Sequence, residues 1–111
     1  MDRKKLNIIM YVDTFKKLKT YAKDHDLTLK ETMIKALNFA LKHKLEFKTF
    51  LSEYYKDDIT TLRTFKVSED IHKKIKKISD KYGVSMSQLV DAAIEFYLKA
   101  IGGGRKWMGR N

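Results

Sequence analysis

Two short stretches hold side chains suited to hydrogen bonding with another molecule's edge rather than to covalent chemistry. In residues 5–12, Lys5, Asn7, Ile9 and Tyr11 share one parity, and Leu6, Ile8, Met10 and Val12 share the other. In residues 62–67, Leu62, Thr64 and Lys66 alternate with Phe65 and Val67. Period two marks a strand with one buried face. The polar parity then turns outward as a row. A carboxamide at Asn7, ammonium groups at Lys5 and Lys66, and a hydroxyl at Thr64 are the donors such a row presents.

Catalytic and metal chemistry have no comparable basis. His25, His43 and His72 lack ligand spacing, and no Gly-rich phosphate loop or nucleophile motif occurs. The pair Asp57-Asp58 reads as a helix end rather than a carboxylate dyad. The absence of cysteine excludes disulfides and thiolate zinc sites. The expectation is a non-enzyme without cofactor or metal.

Charge points to the partner. The 111 residues include 24 Lys+Arg against 14 Asp+Glu, a formal net charge of +10. Such an excess favours a polyanion, with nucleic acid ahead of mere solubility and of a membrane surface. Nothing resembles a signal peptide, and no apolar run is long enough to cross a bilayer. A cytoplasmic protein with no membrane partner is expected. At 43% hydrophobic and 34% charged, without proline, the composition is that of a helix-rich globular chain.

The elements that position the two stretches are written twice. Ala36-Leu37-Asn38-Phe39-Ala40-Leu41 matches Ala93-Ile94-Glu95-Phe96-Tyr97-Leu98 at an offset of 57 residues. The same offset pairs Leu27-Thr28 with Val84-Ser85, Leu18 with Ile75, and Leu6-Asn7-Ile8 with Arg63-Thr64-Phe65. Each strand is followed by a helix. Ser68 caps one, ahead of Glu69-Asp70, and Ile71, Ile75 and Ile78 form its stripe. Asp13 or Thr14 caps the other, with Phe15, Leu18, Tyr21 and Ala22 as its stripe; aligning Val12 with Val67 requires a two-residue deletion. Gly83 stops the later helix and Asp26 stands at the matching place. Thr28-Leu29-Lys30-Glu31 and Ser85-Met86-Ser87-Gln88 then have capping-box form and open long second helices. Met33, Ala36, Leu37, Ala40 and Leu41 face the core in one. Leu89, Val90, Ala93, Ile94 and Tyr97 do so in the other.

The expected organisation is a first module over 1–44, a helical connector over 45–60, a second module over 61–101 and a flexible basic tail over 102–111. Leu45 to about Lys56 reads as helix, ended by Asp57-Asp58. Phe39, Phe96 and Tyr97 belong to the core. Phe47, Phe50, Tyr54 and Tyr55 suit either core or an oligomer surface.

Strand, helix, turn and helix in about 40 residues, twice over, resembles the ribbon-helix-helix superfamily of the Arc and methionine repressors. The run Val67-Ser68-Glu69-Asp70-Ile71, then Ile75, then Tyr82-Gly83-Val84-Ser85-Met86-Ser87-Gln88-Leu89 follows that pattern without a gap. The first copy departs from it at Asp26 and at its strand-to-helix joint. The resemblance is nearest to tandem ribbon-helix-helix transcription regulators of archaeal viruses and plasmids. It implies a mainly α fold with a short two-stranded antiparallel ribbon, the two modules forming an intramolecular pseudo-dimer. Pairing between chains, giving a homodimer or a higher oligomer along DNA, is the rival.

The resemblance further implies sequence-specific binding of double-stranded DNA. A two-stranded ribbon also fits the major groove. Base contacts then fall on Lys5, Asn7, Ile9, Tyr11, Thr64 and Lys66, with Leu62 at the fringe. Asn pairs with adenine, Lys donates to guanine, and Thr offers a hydroxyl or meets a thymine methyl. Phosphate contacts fall on the second-helix starts, Thr28-Leu29-Lys30 and Ser85-Met86-Ser87, where free amides and the helix dipole suit an anion. Arg63 and the leading Arg3 and Lys4 join them, and Arg105 and Lys106 extend the same tail chemistry. Lys73, Lys74, Lys76 and Lys77 read as a solvated helix face. Competing functions are an antitoxin-type autorepressor and a helical adaptor or anionic-membrane binder without a DNA role.

Overall fold

Alternation builds the first element that the rest must cover. In a computed structural model describing residues 3–102, strand β1 runs Arg3–Tyr11 and β2 runs Thr60–Ser68. They pair antiparallel in a single two-stranded sheet. Leu6 lies opposite Phe65, Asn7 opposite Thr64, and Ile9 opposite Leu62. Leu6, Ile8, Met10, Phe65 and Val67 are buried, while Lys5, Asn7, Ile9, Leu62, Thr64 and Lys66 are exposed. The two parities therefore face as the alternation requires.

An isolated two-stranded ribbon is marginal in water, so five α-helices supply the other side of its buried face. Helix α1 spans Val12–Asp24, α2 Leu29–Lys42, α3 Lys44–Ser52, α4 Glu69–Tyr82 and α5 Met86–Tyr97, followed by a π-helical turn over Leu98–Gly102. Helix α5 is central: it packs on β1, α2, α3, α4 and α1. Its residues Leu89, Val90, Ala92, Ala93 and Ile94 are all essentially inaccessible. One apolar cluster joins the ribbon to residues from every α-helix, from Leu18 and Met33 to Phe47 and Ile75. The radius of gyration, 13.5 Å, is close to the ~13 Å of one compact unit of this size. The two halves of the chain thus share a core.

Element joints recur at the 57-residue offset. Helices α1 and α4 start at Val12 and Glu69, after Tyr11 and Ser68. The structural equivalent of Val67 is accordingly Met10, so the alignment of Val12 with Val67, with the two-residue deletion it would require, does not apply. Leu27 N–H donates to Ala22 carbonyl, and Val84 N–H to Ser79 carbonyl. Asp26 and Gly83 both adopt positive φ, 56° and 71°. The Thr28 capping box is complete; at Ser85 the hydroxyl accepts from Gln88 N–H.

Two expectations need correction. Neither Asp13 nor Thr14 caps α1, which has Tyr11 at its N-cap and no side-chain cap bond from it. The connector caps α1 instead: Asp13 N–H donates to Asp58 Oδ2 at 2.9 Å, and Val12 N–H to the Ile59 carbonyl at 3.0 Å. Thr14 is turned inward and fully buried. The connector helix also stops at Ser52 rather than near Lys56. Residues 53–59 are non-helical because Tyr54, Lys56 and Asp58 each reach a partner on α1 or α5 that a continuing helix would carry away. Of the connector aromatics, Phe47 is core, Phe50 and Tyr54 pack partly against it, and Tyr55 is 75% exposed. The tail over 103–111, with Arg105 and Lys106, lies outside the described residues.

Candidate nucleic-acid interface

The ribbon's outer face carries a short, carboxylate-free surface. Strands β1 and β2 together contain Arg3, Lys4, Lys5, Arg63 and Lys66 and no acidic residue. Lys5 lies directly opposite Lys66. Like charges placed opposite one another disfavour the sheet, and a bound anion or an array of acceptors relieves that cost. At the middle, the Thr64 hydroxyl donates to Asn7 Oδ1 at 2.7 Å. That bond occupies the Asn7 carbonyl oxygen, and its NH2 group has no partner among the described residues. Beyond it, Ile9 and Leu62 sit opposite each other, 58% and 60% exposed. Side by side, these two alkyl groups offer a small apolar contact to a partner.

Helix starts flank both edges. On the β1 edge, Ile9 N–H donates to Ser87 Oγ at 2.8 Å, and Tyr11 N–H to Asp91 Oδ2 at 2.9 Å. These bonds satisfy two of the strand's outward amides and bring the start of α5 to the ribbon. On the β2 edge, an open groove is lined by Thr28, the N-cap of α2, and by Leu29 and Lys30 from that helix, together with Arg63 and Lys66. The Arg63 guanidinium stacks 4.0 Å from the Phe15 ring centre. Leu29 and Lys30 in α2, and Met86 and Ser87 in α5, hold the first two helical amides, which have no partner among the described residues. Such amides are ready anion donors.

The remaining assigned residues differ in what they offer. Arg3 and Lys4 are exposed at the ribbon's end. Thr28 N–H is taken: it donates to Glu31 Oε1 at 2.8 Å. That backbone bond, with the Thr28 hydroxyl, holds the Glu31 carboxyl below its ordinary pKa. The helix start therefore carries an anion beside Lys30. Tyr11 is half-buried, its ring edge-on to Tyr54 at 6.2 Å between centroids, so it belongs to the connector side of the ribbon.

Beneath the β1 edge lies a polar network that the sequence reading missed. Asp91 and Glu95 are 2% and 1% exposed. Asp91 accepts from Tyr11 N–H, the Thr14 hydroxyl and the Tyr54 hydroxyl. Glu95 accepts from Lys17 and Lys56 and, at 3.2 Å, shares the single Thr14 hydroxyl hydrogen with Asp91. Lys56 also pairs with Asp13 at 2.7 Å. Burial raises the pKa of Asp91 against the opposing pull of its three donors. Burial pushes the Tyr54 hydroxyl well up, and its bond to Asp91 adds to this. For Lys56, burial works against the cation, but Asp13 and Glu95 outweigh it and raise the pKa. The bond from Lys56 leads in lowering that of Asp13. A signal existed: α5 is apolar on nearly every face, so its two carboxylates, one turn apart, had no solvent face to occupy.

Among the described residues no group of His, Asp or Glu side chains is arranged to hold a metal ion, and no helix is long and apolar enough to cross a membrane. No family model, curated protein or solved structure matches this chain significantly.

Proposed function

We propose that this chain is a sequence-specific, double-stranded DNA-binding transcription regulator built as a tandem ribbon-helix-helix pseudo-dimer. The observation that carries the reading is the register of the ribbon. Asn7 and Thr64 are equivalent under the 57-residue repeat and are also paired with each other. Every other pair then maps onto another pair across that centre, as a two-fold arrangement of two modules requires. The exposed row of Lys5, Asn7, Ile9, Leu62, Thr64 and Lys66 is narrow enough for a major groove and holds donors and methyl groups matched to base edges. Lys30, Arg63, Arg3 and Lys4, with the amides of 29–30 and 86–87, lie where phosphates would pass on either side. Pairing within one chain supports a functional unit that is a monomer, with larger assemblies formed by adjacent binding.

Titration against duplex DNA over a range of salt tests this. With about four phosphates neutralised, affinity falls roughly a hundredfold between 50 and 200 mM salt. Asn7→Ala and Thr64→Ala flatten the preference among sequences. Lys30→Ala weakens binding to all of them and reduces the salt slope by about one. Equal loss on every sequence for all three variants refutes base reading, and a flat salt dependence refutes DNA binding.

A further inference from the structure

The two-fold centre at Asn7 and Thr64 makes the ends of the ribbon comparable, and they are chemically opposite. Shifting the pair Lys5–Lys66 by the repeat offset gives Leu62 and Ile9, which are the pair at the other end. One end presents two ammonium groups with no ion pair among the described residues. Its counterpart presents two exposed branched alkyl groups. Neither end contains a carboxylate.

Resting on the DNA-binding reading above, we infer that the protein recognises a directional site. Guanine lies under Lys5 and Lys66, and thymine methyl groups lie under Ile9 and Leu62. Lysine donates to guanine O6 and N7, which present two acceptors in the major groove. It meets only one purine acceptor at adenine, beside a donor that repels it. Alkyl side chains have no hydrogen bond to give, so they leave guanine acceptors and cytosine or adenine donors dry. The thymine C5-methyl is the one apolar feature of that groove. The two end pairs are four residues apart on each strand, about 13 Å. That distance corresponds to about four base-pair steps at ~3.4 Å each. The protein therefore binds in one orientation on a site whose halves differ.

The experiment is selection of bound duplexes from a random pool by the full chain, repeated with the double variant Lys5→Leu/Lys66→Ile. These strand positions are exposed, and circular dichroism of both proteins checks that the variant folds. The natural chain should select G·C pairs on one side and T·A pairs about four steps away. Replacing the guanines by adenines should weaken binding on the order of tenfold per contact. The variant, with like ends, should lose the guanines and select a near-palindromic, T-rich site. A palindromic consensus for the natural chain, guanine at neither end, or an unchanged consensus for the variant overturns the directional reading while DNA binding stands. Failure to retain any duplex above the random pool overturns the DNA-binding reading and this inference with it.

Discussion

Removing Lys56 tests how the connector is held. The carboxylate of Glu95 is 1% exposed and meets two cations, Lys56 and Lys17, whose side chains are 18% and 46% exposed. Losing the only partner of a buried ion costs about 3–5 kcal/mol. Lys56→Met leaves Lys17, 3.3 Å away, so the expected loss is smaller, about 2 kcal/mol. Lys17→Met removes a half-exposed cation while Lys56 stays, and costs under ~1 kcal/mol. The double variant strands Glu95 with the Thr14 hydroxyl alone. Its loss should reach about 4–5 kcal/mol, exceeding the sum of the singles by 1–2 kcal/mol or so.

Urea unfolding of the four proteins at neutral pH reads these values from midpoints at constant slope. Additive losses would refute the claim that two lysines share the burden of Glu95.

Three further outcomes follow from single contacts. Asp58→Ala removes the acceptor for the first turn of α1, and calorimetry should register about 1 kcal/mol of destabilisation. At the two positive-φ stops, substitutions act in opposite senses. Gly83→Ala costs about 1 kcal/mol, for strain alone because open space surrounds the new methyl. Asp26→Gly instead stabilises by up to ~1 kcal/mol, and both are checked by denaturant midpoints. Tyr97, buried and bonded to Tyr21 at 3.0 Å, has its pKa pushed up to about 12, chiefly by burial. A raised folded pKa gives stability present below the unfolded pKa of about 10 and lost as pH climbs through the folded one. Tyr97→Phe should therefore flatten the decline in thermal midpoint between those values, and an unchanged decline would count against this.

Periodic features were legible in the sequence because each is written in neighbouring residues. Alternation over 5–12 and 62–67 announces which side of the ribbon is buried. Thr28 with Glu31, and Ser85 with Gln88, mark two helix starts from four residues each. The strand-to-helix joint at Tyr11-Val12 was misread because its capping groups, Asp58 and the Ile59 carbonyl, lie some 45 residues away in sequence. The end of α3 was misread for the same reason. Leu45 to about Lys56 reads as helix in the sequence, but tertiary bonds from Tyr54 and Lys56 override local propensity over its last turn. Asp91 and Glu95 were assigned no role from the sequence, although the apolar character of α5 on nearly every face left them no solvent side; their partners Thr14, Tyr54 and Lys56 are far away in the chain.

The departures from repetition matter as much as the repeat. In an assembly of two identical chains, one residue type must serve at both equivalent positions, so a buried carboxylate on one side demands another opposite. A single chain carrying both copies is free of that constraint. Asp91 and Glu95 correspond by the 57-residue offset to Ile34 and Asn38, so only one side of the core bears charge. The connector exists once, and the charged side is the one it straps down through Tyr54, Lys56 and Asp58. The same freedom sets Lys5 and Lys66 at one end of the ribbon against Leu62 and Ile9 at the other. Covalent linkage thus permits both the anchored connector and the chemical polarity of the exposed face. Symmetrising Asp91 and Glu95 alone should loosen the connector without altering that polarity, because among the described residues the ribbon's hydrogen bond to the buried carboxylates is the one from the Tyr11 amide to Asp91, at one edge.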